Sequence, residues 1–131
     1  MKKSLYQQFK AEGFNFFIGV PCSGLKDFIK EAQDDRDNIY IPVPREDTAV
    51  AIAVGSYFTG KKPLVFMQNS GLGNVVNITT SLLQPYRIPI HFLISVRKKP
   101  FEHEFMYKIT KKLIKVLGWY NNIFLIEAKD D

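Results

Sequence analysis

The chain has a single cysteine, a single tryptophan and only two histidines, and each scarcity excludes a class of protein. Cys22 alone makes no internal disulfide, so nothing staples the fold, and a reducing compartment suits it. His91 and His103 show no metal-ligand spacing with Cys22 or with the acids, which argues against an autonomous zinc site, so no metal residue is expected in this chain. No apolar run approaches the roughly 20 residues that cross a bilayer. The opening "MKKSLYQQFKAEGF" lacks the apolar core of a signal peptide. The expectation is a cytoplasmic protein with no membrane partner.

Long blocks of one charge are also missing. The net charge of +5 comes from 18 basic and 13 acidic residues, and the basic ones are spread out except in "KITKKLIK". There Lys108, Lys111, Lys112 and Lys115 alternate with Ile109, Leu113, Ile114 and Val116 at helical spacing, as on the solvated face of an amphipathic helix. Nucleic acid is therefore not expected as a partner, whereas a small anionic substrate suits the positive excess. With 131 residues, 46% of them hydrophobic and 24% charged, the chain has the composition of one ordinary globular domain, residues 1–131.

Short apolar segments bounded by turn residues recur at 14–21, 39–44, 62–68, 88–96 and 122–127. Their β-branched and aromatic content predicts strands buried on both faces. Helical patterns occupy 3–12, 23–34, 46–59, 73–83 and 105–118. Alternation of this kind predicts a three-layer α/β/α fold with a mostly parallel sheet joined by right-handed crossovers. In such sheets ligands gather beyond the carboxyl ends of the strands. The loops "PCSGL", "PREDTA" and "QNSGLGN" all follow strands, so they share that edge.

Within these loops the residues allow more than one reading. Gly71-Leu72-Gly73 suggests a phosphate cradle, but it has neither a third glycine nor the lysine of a P-loop, and it follows the third strand. Glu46 opens a helix, where the helix dipole favours an acid; alternatively Asp47 caps and Glu46 is left for a ligand. Small residues Ala49, Ala51, Ala53 and Gly55 follow it, permitting close packing against another surface. Cys22 is either a nucleophile or a small packing residue beside a Ser23 helix cap. His91, inside an apolar strand, reads as a core histidine.

Taken together, "GVPCSGL", "PREDTAVAIAVGSYFTGKKPLVFMQNSGLGN" and "IPIHFLIS" resemble the pyrimidine-binding domain of thiamine-diphosphate-dependent enzymes, and within that superfamily the sulfopyruvate and phosphonopyruvate decarboxylases. The resemblance runs from residue 3 to about 118. It implies that Glu46 hydrogen-bonds the aminopyrimidine ring, where a carboxylic acid stabilises the imino tautomer that generates the cofactor's reactive carbanion. It places Gln68, Asn69, Gly71, Leu72 and Gly73 in the turn beside the pyrimidine, and Pro21, Cys22 and Ser23 in a loop facing the reaction centre. His103 aligns with a histidine of these decarboxylases, giving Glu46 and His103 as the catalytic pair. Arg87, Arg97 and nearby lysines are candidates to attract the second acidic group of a 2-oxo acid.

This family binds the diphosphate through Mg2+ on a second domain that carries G-D-G and then N-N. The chain has no G-D-G, and its "NN" at 121 and 122 stands alone. The resemblance therefore implies an α subunit that requires a diphosphate-binding β subunit holding Mg2+, in a hetero-oligomer with paired α subunits. The chain also ends at "IFLIEAKDD", short of the last helix and strand of longer relatives. The implied reaction takes sulfopyruvate to sulfoacetaldehyde and CO2. A phosphonopyruvate decarboxylase subunit and a non-catalytic cofactor-binding module are the alternatives.

Overall fold

The computed structural model describes residues 2–119 and 122–128; Asn121 of the "NN" pair lies outside them. Five strands, β1 (Phe16–Gly19), β2 (Ile39–Pro42), β3 (Pro63–Gln68), β4 (His91–Val96) and β5 (Ile123–Glu127), alternate with helices α1 (Leu5–Ala11), α2 (Lys26–Asp34), α3 (Glu46–Phe58), α4 (Val76–Ile78) and α5 (Glu104–Val116). All pairings are parallel, in the order β2-β1-β3-β4-β5.

The inner strands β1, β3 and β4 are apolar on both faces because both faces are covered. The edge strands β2 and β5, expected to be buried as well, are only part-covered because each has a neighbouring strand on one side alone. Successive side chains point to opposite sides of a strand, and the cores divide accordingly. Phe17, Leu64, Phe66 and Leu93 meet Tyr6 and Phe9 of α1 and Phe28 and Ala32 of α2 on one side. Phe16, Ile18, Val65, Met67, Phe92 and Ile94 meet Ala49, Val50, Ala53 and Val54 of α3 and Ile114 of α5 on the other. The first core is largely aromatic, with Phe9 edge-on to Phe14, Phe28 and Phe124. In the second, Trp119 stacks on Phe92 at 4.1 Å.

Local chemistry sets the helix limits. Ser4 opens α1 with a reciprocal capping box, accepting from the Gln7 backbone and donating its own N–H to the Gln7 side chain. The expected helix over 73–83 is broken into pieces. Asn69–Val75 is a 3-10 stretch, α4 is a single turn, and Thr79–Leu83 is a π-turn closed by Gln84 N–H to Thr79 C=O at 2.9 Å. Two glycines and a run of β-branched residues give this segment little intrinsic preference for a regular α-helix. Likewise the helix expected from residue 23 begins as a 3-10 turn, Ser23–Leu25, before α2.

The strand order reverses direction between β1 and β3. In an open parallel sheet that is where a crevice forms beyond the carboxyl ends of the strands. The loop after β1 carries Pro21, Cys22 and Ser23, and the loop after β3 carries Asn69 to Val75, so the two flank that point. The sheet thus puts three separate sequence motifs on one edge and brings Glu46 against the Asn69–Val75 turn. Gly19, last in β1, faces Phe66 of β3, and a Cβ there would sit 2.0 Å from the Phe66 carbonyl oxygen. Only glycine lets the strands pair this closely where the crevice begins.

Candidate active site

Glu46 is the first residue of α3 and is half-buried. Its Oε1 accepts a hydrogen bond from Asn74 Nδ2 at 2.8 Å. Its carboxyl lies in the space that a side chain at position 71 would need: a Cβ on Gly71 would stand 2.5 Å from Glu46 Cγ and 2.7 Å from Oε2. The glycine therefore serves the acid. Oε2 has no hydrogen-bond partner among the described residues, which leaves one carboxyl oxygen for a ligand. Gly73, by contrast, is exposed, and a Cβ there would meet nothing within 4 Å.

Asp47 does not cap α3. Arg45 occupies the cap position, and no side chain bonds the first turn's free N–H groups from there. The Asp47 carboxylate instead accepts from Arg45 Nε at 3.0 Å and Nη2 at 3.3 Å and from the Thr48 N–H at 2.9 Å. Those hydrogen bonds from Arg45 come first among the causes that hold Asp47 below the ordinary carboxylate range. Arg45 is thereby paired, and among the described residues Glu46 makes no salt bridge, although its charge and that of Arg45 act on each other.

The other motif residues divide between inward and outward roles. Asn69, only 1% exposed, turns into the protein: Nδ2 donates to Thr110 Oγ1 at 2.9 Å and to the Arg97 carbonyl at 3.3 Å, and Oδ1 accepts the Arg97 N–H at 3.0 Å. It locks the end of β3 to the end of β4 and to α5. Leu72 is fully buried in the α3-side core. Gln68 reaches the surface and bonds Ser70 Oγ at 2.9 Å.

After β1, Ser23 makes no capping bond. Its hydroxyl accepts from Arg97 Nη1 at 3.2 Å, because the 3-10 entry into α2 turns it toward β4. Cys22 is partly buried, and burial pushes its thiol up, only partly offset by hydrogen bonds from Leu25 and Gly24 and by the Arg97 charge. It is therefore protonated at neutral pH and poorly nucleophilic. The next residue along, Gly24, packs against β4: a Cβ there would fall 2.1 Å from Ser95 Oγ.

His103 lies in the 3-10 turn Phe101–His103 that follows β4 and leads into α5, hence on the same sheet edge, half-buried. Its side chain bonds none of the other candidate residues among those described. Around it Phe101 and Phe105 are 84% and 73% exposed. His91 is at the opposite end of β4, edge-on to Phe14 at 5.2 Å, and burial holds its pKa down. Arg87 is also on that far side, lining a hollow with Gln84 and Trp119, so it is separated from the candidate site.

Sequence reasoning did not single out Asn74 or the Arg97–Ser23 bond. Asn74 closes the quoted motif "MQNSGLGN", and that position was its one available signal. The bond joins residues 74 positions apart, for which one sequence offers none. Among the described residues no group of acids, histidines and cysteine could hold a metal ion, and no helix is long and apolar enough to cross a membrane.

Comparison with known proteins bears on this arrangement. The family described as "Thiamine pyrophosphate enzyme, N-terminal TPP binding domain" matches residues 1–110. Sulfopyruvate decarboxylase subunit alpha of Methanococcus maripaludis is 37% identical over 119 residues, covering 88% of this chain and 71% of that protein. The subunit alpha of Methanocaldococcus jannaschii is 39% identical over 94 residues, covering 72% and 56%. Phosphonopyruvate decarboxylase of Streptomyces hygroscopicus is 40% identical over 106 residues, covering 77% of this chain and 26% of its own. The chain thus spans 56% to 71% of these alpha subunits. A solved 2-oxoglutarate:ferredoxin oxidoreductase from Magnetococcus marinus superimposes with a TM-score of 0.56 at 12% identity, over 88% of this chain and 26% of that one, a likeness of fold.

Proposed function

The chain belongs to the family of N-terminal thiamine pyrophosphate-binding domains of thiamine pyrophosphate enzymes, and on that premise we propose that it is the α subunit of a cytoplasmic decarboxylase converting sulfopyruvate to sulfoacetaldehyde and CO2. The observation that carries this reading is the Glu46 carboxyl: one oxygen is fixed by Asn74, the other is open, and Gly71 gives up its side chain to make room. That donor set fits a group that needs a single hydrogen-bonding acid. Thiamine diphosphate, when bound, supplies the electron sink on which a 2-oxo acid loses CO2. This chain's part is to hold a proton at Glu46 Oε2 against the aminopyrimidine, with Asn74 fixing the carboxyl's orientation.

The remaining motif residues have supporting roles in this reading. Gly71 and Gly73 bring the turn's backbone beside the pyrimidine, and Gln68 lines its approach. Asn69 and Leu72 anchor the turn from beneath. Pro21, Cys22 and Ser23 wall the substrate side, and His103 faces the site from the loop after β4.

The diphosphate and its Mg2+ belong to a partner β subunit. The outer surface of α3 supports a shared site: Ala51, Ile52, Gly55 and Phe58 are exposed, Phe58 to 70%, and Val76 of the adjoining α4 is exposed beside them. A helix that is apolar all round belongs in a buried setting, so this face is read as covered by another chain in a hetero-oligomer. The name "subunit alpha" carried by the methanogen relatives agrees with that reading.

The test is reconstitution. The purified chain alone is expected to be inactive, and co-expression with a diphosphate-binding partner to give sulfopyruvate decarboxylation that Glu46→Gln largely removes. Full activity in the Glu46→Gln pair would overturn the assignment.

A further inference from the structure

Cations on the carboxyl edge of the sheet are not equivalent. Arg45 is consumed by Asp47. Lys98 is held over the Tyr107 ring, 5.3 Å from its centroid. Arg87 is at the opposite edge. Unlike Arg45, Arg97 pairs with no acid among the described residues. It is nevertheless held in place. Its Nε donates to the Lys99 carbonyl at 2.8 Å and its Nη1 to Ser23 Oγ at 3.2 Å, while Asn69 grips its backbone N–H and C=O.

Both side-chain acceptors are neutral, so the positive charge stays uncompensated. A guanidinium has five N–H donors, and these two bonds leave the rest unused by the described residues. The group is half-buried, close enough to Cys22 for its charge to act on that thiol, and fixed to the loop that walls the substrate side. Holding an arginine with neutral acceptors spends no charge and removes the rotamer freedom that binding would otherwise have to restrict.

We propose that Arg97 is the specificity determinant for the substrate's second acidic group: its free N–H fork receives the sulfonate or phosphonate at the far end of the 2-oxo acid. This rests on the decarboxylase reading above. The planar fork suits a tetrahedral oxyanion bidentately, and a charge-assisted pair is the strong form of hydrogen bond. Ser23 and Asn69 are positioning residues in this scheme. Ser23 aims the guanidinium, and Asn69 fixes the backbone from which it projects. One continuous turn, Asn69–Val75, thus sets the cation at its start and the Glu46 acid through Gly71 and Asn74.

The test compares 3-sulfopyruvate with pyruvate, the same 2-oxo acid without the second acidic group, in the pair reconstituted with its partner. Arg97→Gln is expected to raise KM for sulfopyruvate about 10- to 100-fold with kcat changed only a few-fold, and to lower kcat/KM for pyruvate far less, by a few-fold at most. Arg97→Lys, which keeps the charge and loses the fork, is expected to fall between. Because Asn69 bonds only the backbone of residue 97, the variants keep that clamp and should melt with the wild type. Unchanged KM for sulfopyruvate, or an equal loss on both substrates, would overturn the inference.

A second arm separates it from the decarboxylase reading. If the wild-type pair turns over neither acid, that reading fails, and calorimetry with 3-sulfopropionate decides Arg97 alone. Binding at least tenfold weaker in Arg97→Gln upholds the inference; equal or absent binding in both proteins overturns it.

Discussion

Glu46 occupies the volume that a side chain at position 71 would fill, its Cγ, Cδ and Oε2 all within 2.7 Å of where that Cβ would stand. The two residues come from different strand-to-helix junctions, yet neither position is independent of the other. Gly71→Ala must push the carboxyl aside, and misplacement by about 1 Å can cost on the order of 100-fold in rate. We expect that loss in the reconstituted enzyme, with Gly71→Ala/Glu46→Gln no worse than Glu46→Gln alone, since both act through one group. Additive losses in the double variant would show that Gly71 acts elsewhere.

Asn69 is expected to matter for stability first. Asn69→Ala strips three hydrogen bonds and takes from the Arg97 N–H and C=O the partner they have in Asn69, while the Thr110 hydroxyl keeps its bond to the Met106 carbonyl. Unsatisfied buried groups cost about 1–3 kcal/mol, which for a chain of this size is a fall in Tm of roughly 4–12 °C. Calorimetric melting of the isolated chain checks this. An unaltered Tm would mean that the clamp contributes nothing.

Cys22 is expected to react slowly. Its thiol is pushed up by burial, so the thiolate fraction at pH 7.5 is below that of a free cysteine. Iodoacetamide should modify the native chain more slowly than the urea-unfolded one, the gap narrowing as pH rises. Equal rates would contradict the burial argument.

Acid stability is expected to depend on Asp35. Hydrogen bonds from Lys10, then the Asp37 backbone, then Tyr6, lower its pKa to about 2. A carboxylate depressed in the folded state stabilises fully above its unfolded value of about 4 and loses that contribution as pH falls toward 2. Urea midpoints measured from pH 5 down to 2.5 should therefore drop more steeply for the wild type than for Asp35→Asn. His91, lowered by burial, destabilises both proteins alike as pH falls below about 6.5, so the difference isolates Asp35. Parallel slopes would refute the assignment.

The architecture was legible because two periodicities are local properties. Apolar runs such as "PLVFM" suit a strand covered on both faces, as β3 is, and their alternation with helical patterns favours parallel pairing. That alone brought "PCSGL", "PREDTA" and "QNSGLGN" to one edge, where the strand order indeed reverses. Less legible was the path inside the motif. Asn69 and Leu72 sit among residues expected to face a ligand, yet the 3-10 trace turns both inward. The Ser23 cap failed for the same reason: a hydroxyl three residues from a helix start has several possible partners, and the tertiary fold chose Arg97.

By itself, then, the sequence determined the layers and the edge that the loop motifs share, because side-chain periodicity and strand-to-helix order are written within a few residues of each position; Glu46 was singled out by the resemblance, not by periodicity. Only the tertiary structure decided which side chains meet there. Glu46 fits Gly71, Arg97 is steadied by Ser23 and Asn69, and Arg87 is left on the far side. Those relations join strands distant in sequence, and close packing rather than local preference selects among them.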